Sequence, residues 1–269
     1  MTEYAETSEP QTPSGPSDPS DPAFWDERYA EAVWSGNPNM ALVREVSGMR
    51  PGTALDVGCG EGADAIWLAE QGWQVTGLDV SSVGIARARS AAQAAGVEAE
   101  WLVTGLLGLA EGRTFDLVSA FYPVLERTPE DRAERALLAA VAPGGTLLLV
   151  HHVMDGPDHE HGHDHEHGHG QEHGHDQEPR HDHEHRLNHA NGHGDQQGEG
   201  TRQEASPRKP DFDHRRLVMP AKVRELLQTD EFAGQWTIET FEHRPRRVTA
   251  GHAAGHHVDD EVLRARRTR

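Results

Sequence analysis

Short apolar runs alternate with amphipathic stretches over most of the chain. Ala54-Leu55-Asp56-Val57, residues 73–79, residues 98–103, Phe115 to Phe121 and Thr146-Leu147-Leu148-Leu149-Val150 are each short and largely aliphatic or aromatic. Bounded by Gly and Pro, they read as buried strands. Between them lie helix signals. Ala63 to Gln71 is closed by Gly72, where a left-handed cap is wanted, and Ser81 caps a stretch that runs through Ala95 to Gly96. Thr128-Pro129-Glu130-Asp131 has the cap, first-position proline and acids of a helix start, with the helix expected to reach about Val141. Pro143-Gly144-Gly145 reads as a turn. Phe24 to Trp34 reads as an N-terminal amphipathic helix, and Pro220 to Leu227 as a late one. Trp236-Thr237-Ile238 and Glu261-Val262-Leu263 look like two closing strands. Strands alternating with helices predict an α/β fold with a doubly wound, mainly parallel sheet, and a ligand at the strands' carboxyl ends.

The pattern fails in two places. Residues 1–22 carry Pro, Ser, Thr and Glu without a basic residue, and residues 155–210 are His, Gly, Asp, Glu and Gln with Leu187 the lone large aliphatic. Neither can bury enough surface to offset ordering entropy. The expected organisation is a disordered tail at 1–22, one domain from 23–154 and 211–269, and a His-rich disordered insertion at 155–210. The remaining length, about 190 residues, suits one α/β domain. The net charge of −20 argues against nucleic acid as a partner, because phosphate binding needs clustered Lys and Arg. Cys59 is the one cysteine, so no internal disulfide can form; with no leader-like N-terminus and no apolar run long enough for a bilayer, a cytoplasmic protein away from membranes is expected.

The chemistry concentrates in Asp56-Val57-Gly58-Cys59-Gly60-Glu61-Gly62, a strand end followed by a glycine turn, and in Asp79, at the end of the next strand. An acid about 20 residues beyond such glycines is spaced to hold a ribose. The cofactor is therefore an adenosine compound. Gly58-x-Gly60-x-x-Ala63 satisfies the dinucleotide fingerprint, which keeps an NAD-dependent oxidoreductase open. Asp56 and Glu61 oppose it, since acids there disfavour a diphosphate and suit a cation. The chain's end also supplies a helix and two strands in place of a substrate domain.

Taken in order, Asp56 to Gly62, Gly77-Leu78-Asp79-Val80-Ser81, Phe115-Asp116-Leu117-Val118 and Pro143-Gly144-Gly145-Thr146-Leu147 resemble the motifs of class I S-adenosylmethionine-dependent methyltransferases. Phe24-Trp25-Asp26-Glu27-Arg28-Tyr29 followed by Trp34 is similar to the small-molecule branch of tellurite-resistance and thiopurine methyltransferases. The resemblance implies a seven-stranded Rossmann-like methyltransferase fold with an antiparallel terminal strand. It implies S-adenosylmethionine as cofactor, with Asp56, Gly58 and Gly60 at its methionine end, Asp79 on the ribose and Val80 on the adenine. Leu106 and Phe121 would also line the cofactor, and Trp25, Tyr29 and Trp34 would fold over it. One departure stands out: Gly105 lies at or near the position where the family carries an acid for the adenine amino group.

Methyl transfer is direct, in line, and asks mainly for positioning. Catalytic residues are not specified by the sequence; Tyr122, Glu126, His151 and His152 are candidates for a base, and the acceptor is a small molecule. His159, His161, His163, His165, His167 and His169 alternate strictly. Imidazoles two residues apart in an extended chain face the same way and suit Zn, Ni or Cu. A divalent-metal buffer built on a degenerate methyltransferase core is thus a further alternative.

Overall fold

The computed structural model describes residues 18–31, 36–153, 216–247 and 257–268, which pack as one unit. In chain order the elements are α1 (Pro22–Arg28), α2 (Met40–Val46), β1 (Thr53–Val57), α3 (Ala63–Glu70), β2 (Gln74–Asp79), α4 (Ser82–Ala95) and β3 (Glu100–Val103). There follow β4 (Phe115–Phe121), α5 (Arg132–Ala139), β5 (Val141–His152), α6 (Pro220–Leu227), β6 (Trp236–Arg247) and β7 (His257–Arg267). The seven strands form one sheet in the order β3-β2-β1-β4-β5-β7-β6. β7 alone runs against its neighbours, pairing antiparallel with both β5 and β6. This is the Rossmann-like methyltransferase fold.

The strands are apolar on both faces because helices cover both. Along β5, Leu147 and Leu149 face α5 and α6, with Leu137, Leu138, Val223 and Leu226. Leu148 and Val150 face the opposite layer, with Leu42, Leu68, Ile85 and Ala88. The order of winding reverses between β1 and β4, which are hydrogen-bonded neighbours. Their carboxyl ends diverge there and open the crevice where such sheets take ligands.

Several local expectations hold. Ser81 Oγ accepts from the Gly84 N–H at 3.0 Å at the start of α4, and Gly96 ends that helix at φ 71°. Gly72 is left-handed, at φ 89°.

Three expectations need correcting. The N-terminal helix spans seven residues, not the stretch to Trp34: Asp21 caps it, and Tyr29 leaves it to bury its ring beside Gly84, where a Cβ would sit 3.2 Å from Tyr29 Cδ2. Trp34 lies outside the described residues, as do His159 to His169. The segment Pro129–Asp131 is a 3₁₀ turn with Glu130 and Asp131 left-handed, and α5 begins only at Arg132, whose N–H donates to Thr128 Oγ1. Pro143-Gly144-Gly145 is no turn between elements but an irregularity inside β5, where the pairing with β4 shifts register. A Cβ at Gly145 would come within 2.9 Å of the Phe115 and Ala142 carbonyl oxygens. Only glycine allows that approach.

Candidate functional site

β1 ends at Val57, and the chain then turns through Gly58, Gly60 and Gly62 at φ 73°, 52° and 85° into α3. The Gly58 and Cys59 N–H groups both donate to the Leu78 carbonyl, at 2.9 and 3.0 Å, which pins the turn to β2. A Cβ at Gly58 would meet nothing within 4 Å, so the turn presents open backbone at the strand ends. Gly62 has the reverse reason: a Cβ would collide with Trp101 and Ala88.

Asp79 ends β2 and clamps this turn. Its Oδ2 accepts from the Gly60 N–H at 2.9 Å and its Oδ1 from the Ser81 N–H at 2.8 Å. Burial nevertheless raises its pKa. Asp56 ends β1 on the same side. Its Oδ1 accepts from Ser119 Oγ at 3.3 Å, while Oδ2 is buried without a well-formed hydrogen bond; the Ala65 amide is a weak neighbour. Burial, then the charge of Asp64, holds the Asp56 carboxyl well above the usual range. Asp64 is raised by burial too, although Asn39 donates to it twice, at 2.7 Å each. Among the described residues no Lys or Arg pairs with Asp56, Asp64 or Asp79. The turn therefore sits over buried negative charge that lacks a cation. Cys59 lies in this field. Burial, then Asp56 and Asp79, pushes its thiol up, so it stays protonated and has no thiolate reactivity.

α1 joins the site through a residue that sequence reasoning passed over. Asp26 accepts from Ser81 Oγ at 2.6 Å, from the Val83 N–H at 3.1 Å and from Ser82 Oγ at 3.0 Å, which makes it a second cap on α4. Arg87 completes the tie, reaching Glu61 at 3.3 Å and the Ala30 carbonyl at 2.7 Å. No local signal marks Asp26, because its partners lie 55 to 57 positions away. Tyr29 is core-buried, and Trp25, half-buried, donates its Nε1–H to the Pro19 carbonyl at 2.8 Å.

Val80 is half-buried and stands 3.5 Å from where a Cβ on Gly105 would lie. Leu106 is buried in the core on the α5–α6 side, so its side chain serves packing there. Phe121 closes β4 on the opposite face, with Leu117 and Val150.

Beyond Phe121 the backbone is left-handed at Tyr122, φ 50°. Strict alternation would send this ring to the α5–α6 face; instead it packs with Phe121 on the other. There it stacks on His152, with ring centroids 4.3 Å apart, and donates its hydroxyl to Asp260 Oδ2 at 2.8 Å. His152 Nδ1 faces Asp260 Oδ1 at 3.3 Å. Asp260 was not foreseen; the acids of Asp259-Asp260-Glu261 at the start of a closing strand are the one hint. Glu126 points elsewhere, pairing with Arg216 at 3.2 Å. The site thus combines the glycine turn and its acids with a Tyr-His-Asp group two strands along. An open groove of about 950 Å³ lined by Thr53, Gln74, Glu100 and Phe115 lies at the strands' other ends and plays no part in it.

Residues 54–145 match the family model described as a methyltransferase domain. Those residues are a methyltransferase domain. They hold the glycine turn, Asp79, Gly105 and Tyr122; His152 and Asp260 lie beyond the match. The chain is 33% identical over 106 residues to ribosomal RNA small subunit methyltransferase C of Alcanivorax borkumensis, covering 38% of this chain and 32% of that protein. It is 37% identical over 94 residues to the ubiquinone biosynthesis O-methyltransferase of a Methylobacterium species, covering 35% and 38%. The chain thus spans about a third of the length of these curated relatives. A solved structure from work on the conversion of a disulfide bond into a thioacetal group during echinomycin biosynthesis aligns over 91% of both chains, at 24% identity and a TM-score of 0.56, a likeness of fold. No helix among the described residues is long and apolar enough to cross a membrane.

Proposed function

We propose that the protein transfers a methyl group from S-adenosylmethionine to a small-molecule acceptor. The observation that carries this reading is the buried charge at the glycine turn: Asp56, Asp64 and Asp79 without a Lys or Arg partner among the described residues, beside open backbone at Gly58. That environment favours a cationic ligand and opposes a diphosphate, which counts against NAD. Asp56, Gly58 and Gly60 would hold the methionine end and Asp79 the ribose hydroxyls, with Trp25, Tyr29, Val80 and Phe121 around them. When bound, the cofactor supplies an electrophilic methyl. The chain's own part is to orient the acceptor behind it and to keep water away.

The matched relatives differ in acceptor, one named for ribosomal RNA and one for ubiquinone biosynthesis. The charge of −20 favours the small molecule over nucleic acid. The Phe24 to Tyr29 motif supports the tellurite-resistance or thiopurine branch, and the single cysteine suits a cytoplasmic location. Calorimetry with S-adenosylhomocysteine and with NAD tests the reading. Heat with the first and none with the second is expected; tight NAD binding alone would sink it. A screen of thiols, tellurite, selenite, halides and phenols with labelled cofactor then identifies the acceptor.

A second proposal concerns His159, His161, His163, His165, His167 and His169. Their alternation supports binding of Zn, Ni or Cu in several weak sites that fade below the imidazole pKa of about 6.5, where protons displace metal. One tight stoichiometric site in a zinc titration would contradict it.

A further inference from the structure

The reading above leaves the proton unassigned. We infer that His152, oriented by Asp260, is the base that takes it, and that the acceptor is therefore a hydroxyl compound, such as a phenol, rather than a thiol or soft anion. This rests on the proposed methyl transfer.

The two histidines at the end of β5 are not equivalent. His151 is buried at 4% exposure on the α5–α6 face, and its Nδ1 accepts the His152 backbone N–H at 2.9 Å. That bond uses its lone pair. His152 lies on the opposite face, opposite Asp260 in the β5–β7 ladder, and its side chain is 33% exposed. Its Nδ1 faces the buried Asp260 carboxylate, which fixes the Nδ1–H tautomer and leaves the Nε2 lone pair to accept a proton. Asp260 then stabilises the imidazolium that forms.

Two further observations support a built site. Tyr122 adopts φ 50°, a conformation unfavourable for a bulky residue, and by doing so places its ring on His152 and its hydroxyl on Asp260. Backbone strain of this kind persists where the surroundings enforce it. The position also fits. Asp56, Ser119, Phe121 and His152 share one face of the sheet, and only β4 separates β1 from β5. With strands 4.7–4.9 Å apart, the base stands about 10 Å across the strands from the glycine turn, and the register sets it four residues past the level of Asp56, so a small ring fits between them. The other ionisable groups nearby are His151 on the same strand, Asp259 and Glu261 on β7, and Arg244, which lies opposite Asp260 on β6 but pairs with Glu45 at 2.7 Å.

The step balances simply. The acceptor oxygen attacks the methyl carbon, and the carbon–sulfur bond breaks with its electron pair going to sulfur, which becomes a neutral thioether. The hydroxyl proton passes to His152 Nε2.

The test uses the full chain with labelled S-adenosylmethionine, catechol as hydroxyl probe and thiophenol as a probe already ionised at neutral pH. In His152→Ala, kcat/KM for catechol should fall about 100-fold or more and lose its acid limb, with partial recovery in added imidazole. S-adenosylhomocysteine affinity and thiophenol turnover should change less than about threefold. Asp260→Asn should lower catechol turnover with the same probe selectivity. Spectra of ¹⁵N-histidine-labelled protein read the arrangement without any acceptor: His152 should be the Nδ1–H tautomer, and Asp260→Asn should abolish that preference. An Nε2–H tautomer in the wild type, an unchanged catechol rate in His152→Ala, or an equal loss with both probes would overturn the inference. Absence of S-adenosylhomocysteine binding by the wild type would instead overturn the proposed function.

Discussion

Replacing Asp56 by Asn should make the free protein more stable and the cofactor complex weaker. Asp56 is 3% exposed, has one long hydrogen bond from Ser119, and shares its surroundings with Asp64 and Asp79. A buried charge of this kind is expensive, and the carboxyl responds with a pKa well above the usual range. For an acid raised in the folded state, the favourable contribution is full below the unfolded value, about 3.9, and is lost as pH rises through the folded one. Above that raised folded pKa the wild type has lost it. An amide keeps the Ser119 bond and removes the charge, leaving one buried polar group imperfectly paired. A gain of about 1–2 kcal/mol is expected above the folded pKa, where the carboxylate is charged. For a domain of this size that is about 2–8 °C in melting temperature. The gain should shrink as pH falls through the raised folded pKa, because Asp56 then neutralises itself. The ammonium at the ligand's methionine end meanwhile loses its counter-charge, so S-adenosylhomocysteine should bind about 10-fold or more weaker. Melting curves across pH and titration calorimetry read both effects. A variant that melts lower above the folded pKa, or whose advantage grows in acid, would refute the electrostatic reasoning.

Asp79→Ala removes the acceptor for the Gly60 and Ser81 N–H groups as well as the ribose contact; about 2 kcal/mol or more of cofactor affinity should go, measured by calorimetry, and an unchanged dissociation constant would place the ribose elsewhere. Asp26→Ala leaves Ser81, Ser82 and Val83 without their partner on α1; a loss of about 1–2 kcal/mol is expected, with faster hydrogen exchange and proteolysis confined to α1 and the start of α4. Gly105→Asp should be tolerated, since its Cβ would rest at an ordinary 3.5 Å from Val80, and should tighten cofactor binding by about tenfold through an added acceptor at the adenine edge. Weaker binding in that variant would show that the adenine does not lie against Gly105.

Much of the architecture was written in local pattern. Five buried strands, the caps at Ser81 and Gly96, and the glycine turn at Gly58 to Gly62 follow from residue types over a few positions, because burial on both faces demands aliphatic runs and left-handed backbone demands glycine. Asp56 and Asp79 were legible for the same reason, as acids at strand ends next to that turn. What tertiary structure alone decided depends on partners far apart in the chain. α1 stops at Arg28 because Tyr29 has a pocket beside Gly84, and Asp26 becomes a cap only when α1 lies across α4. Pro143-Gly144-Gly145 turns chains in most sequences, yet here its strand is held by Phe115 and Asp116 across the ladder. Asp260 and His152 are 108 positions apart and meet because β7 enters the sheet antiparallel beside β5. Tyr122 would face the other layer under simple alternation. A single left-handed residue turns it onto them, and no periodicity in the sequence encodes that rotation.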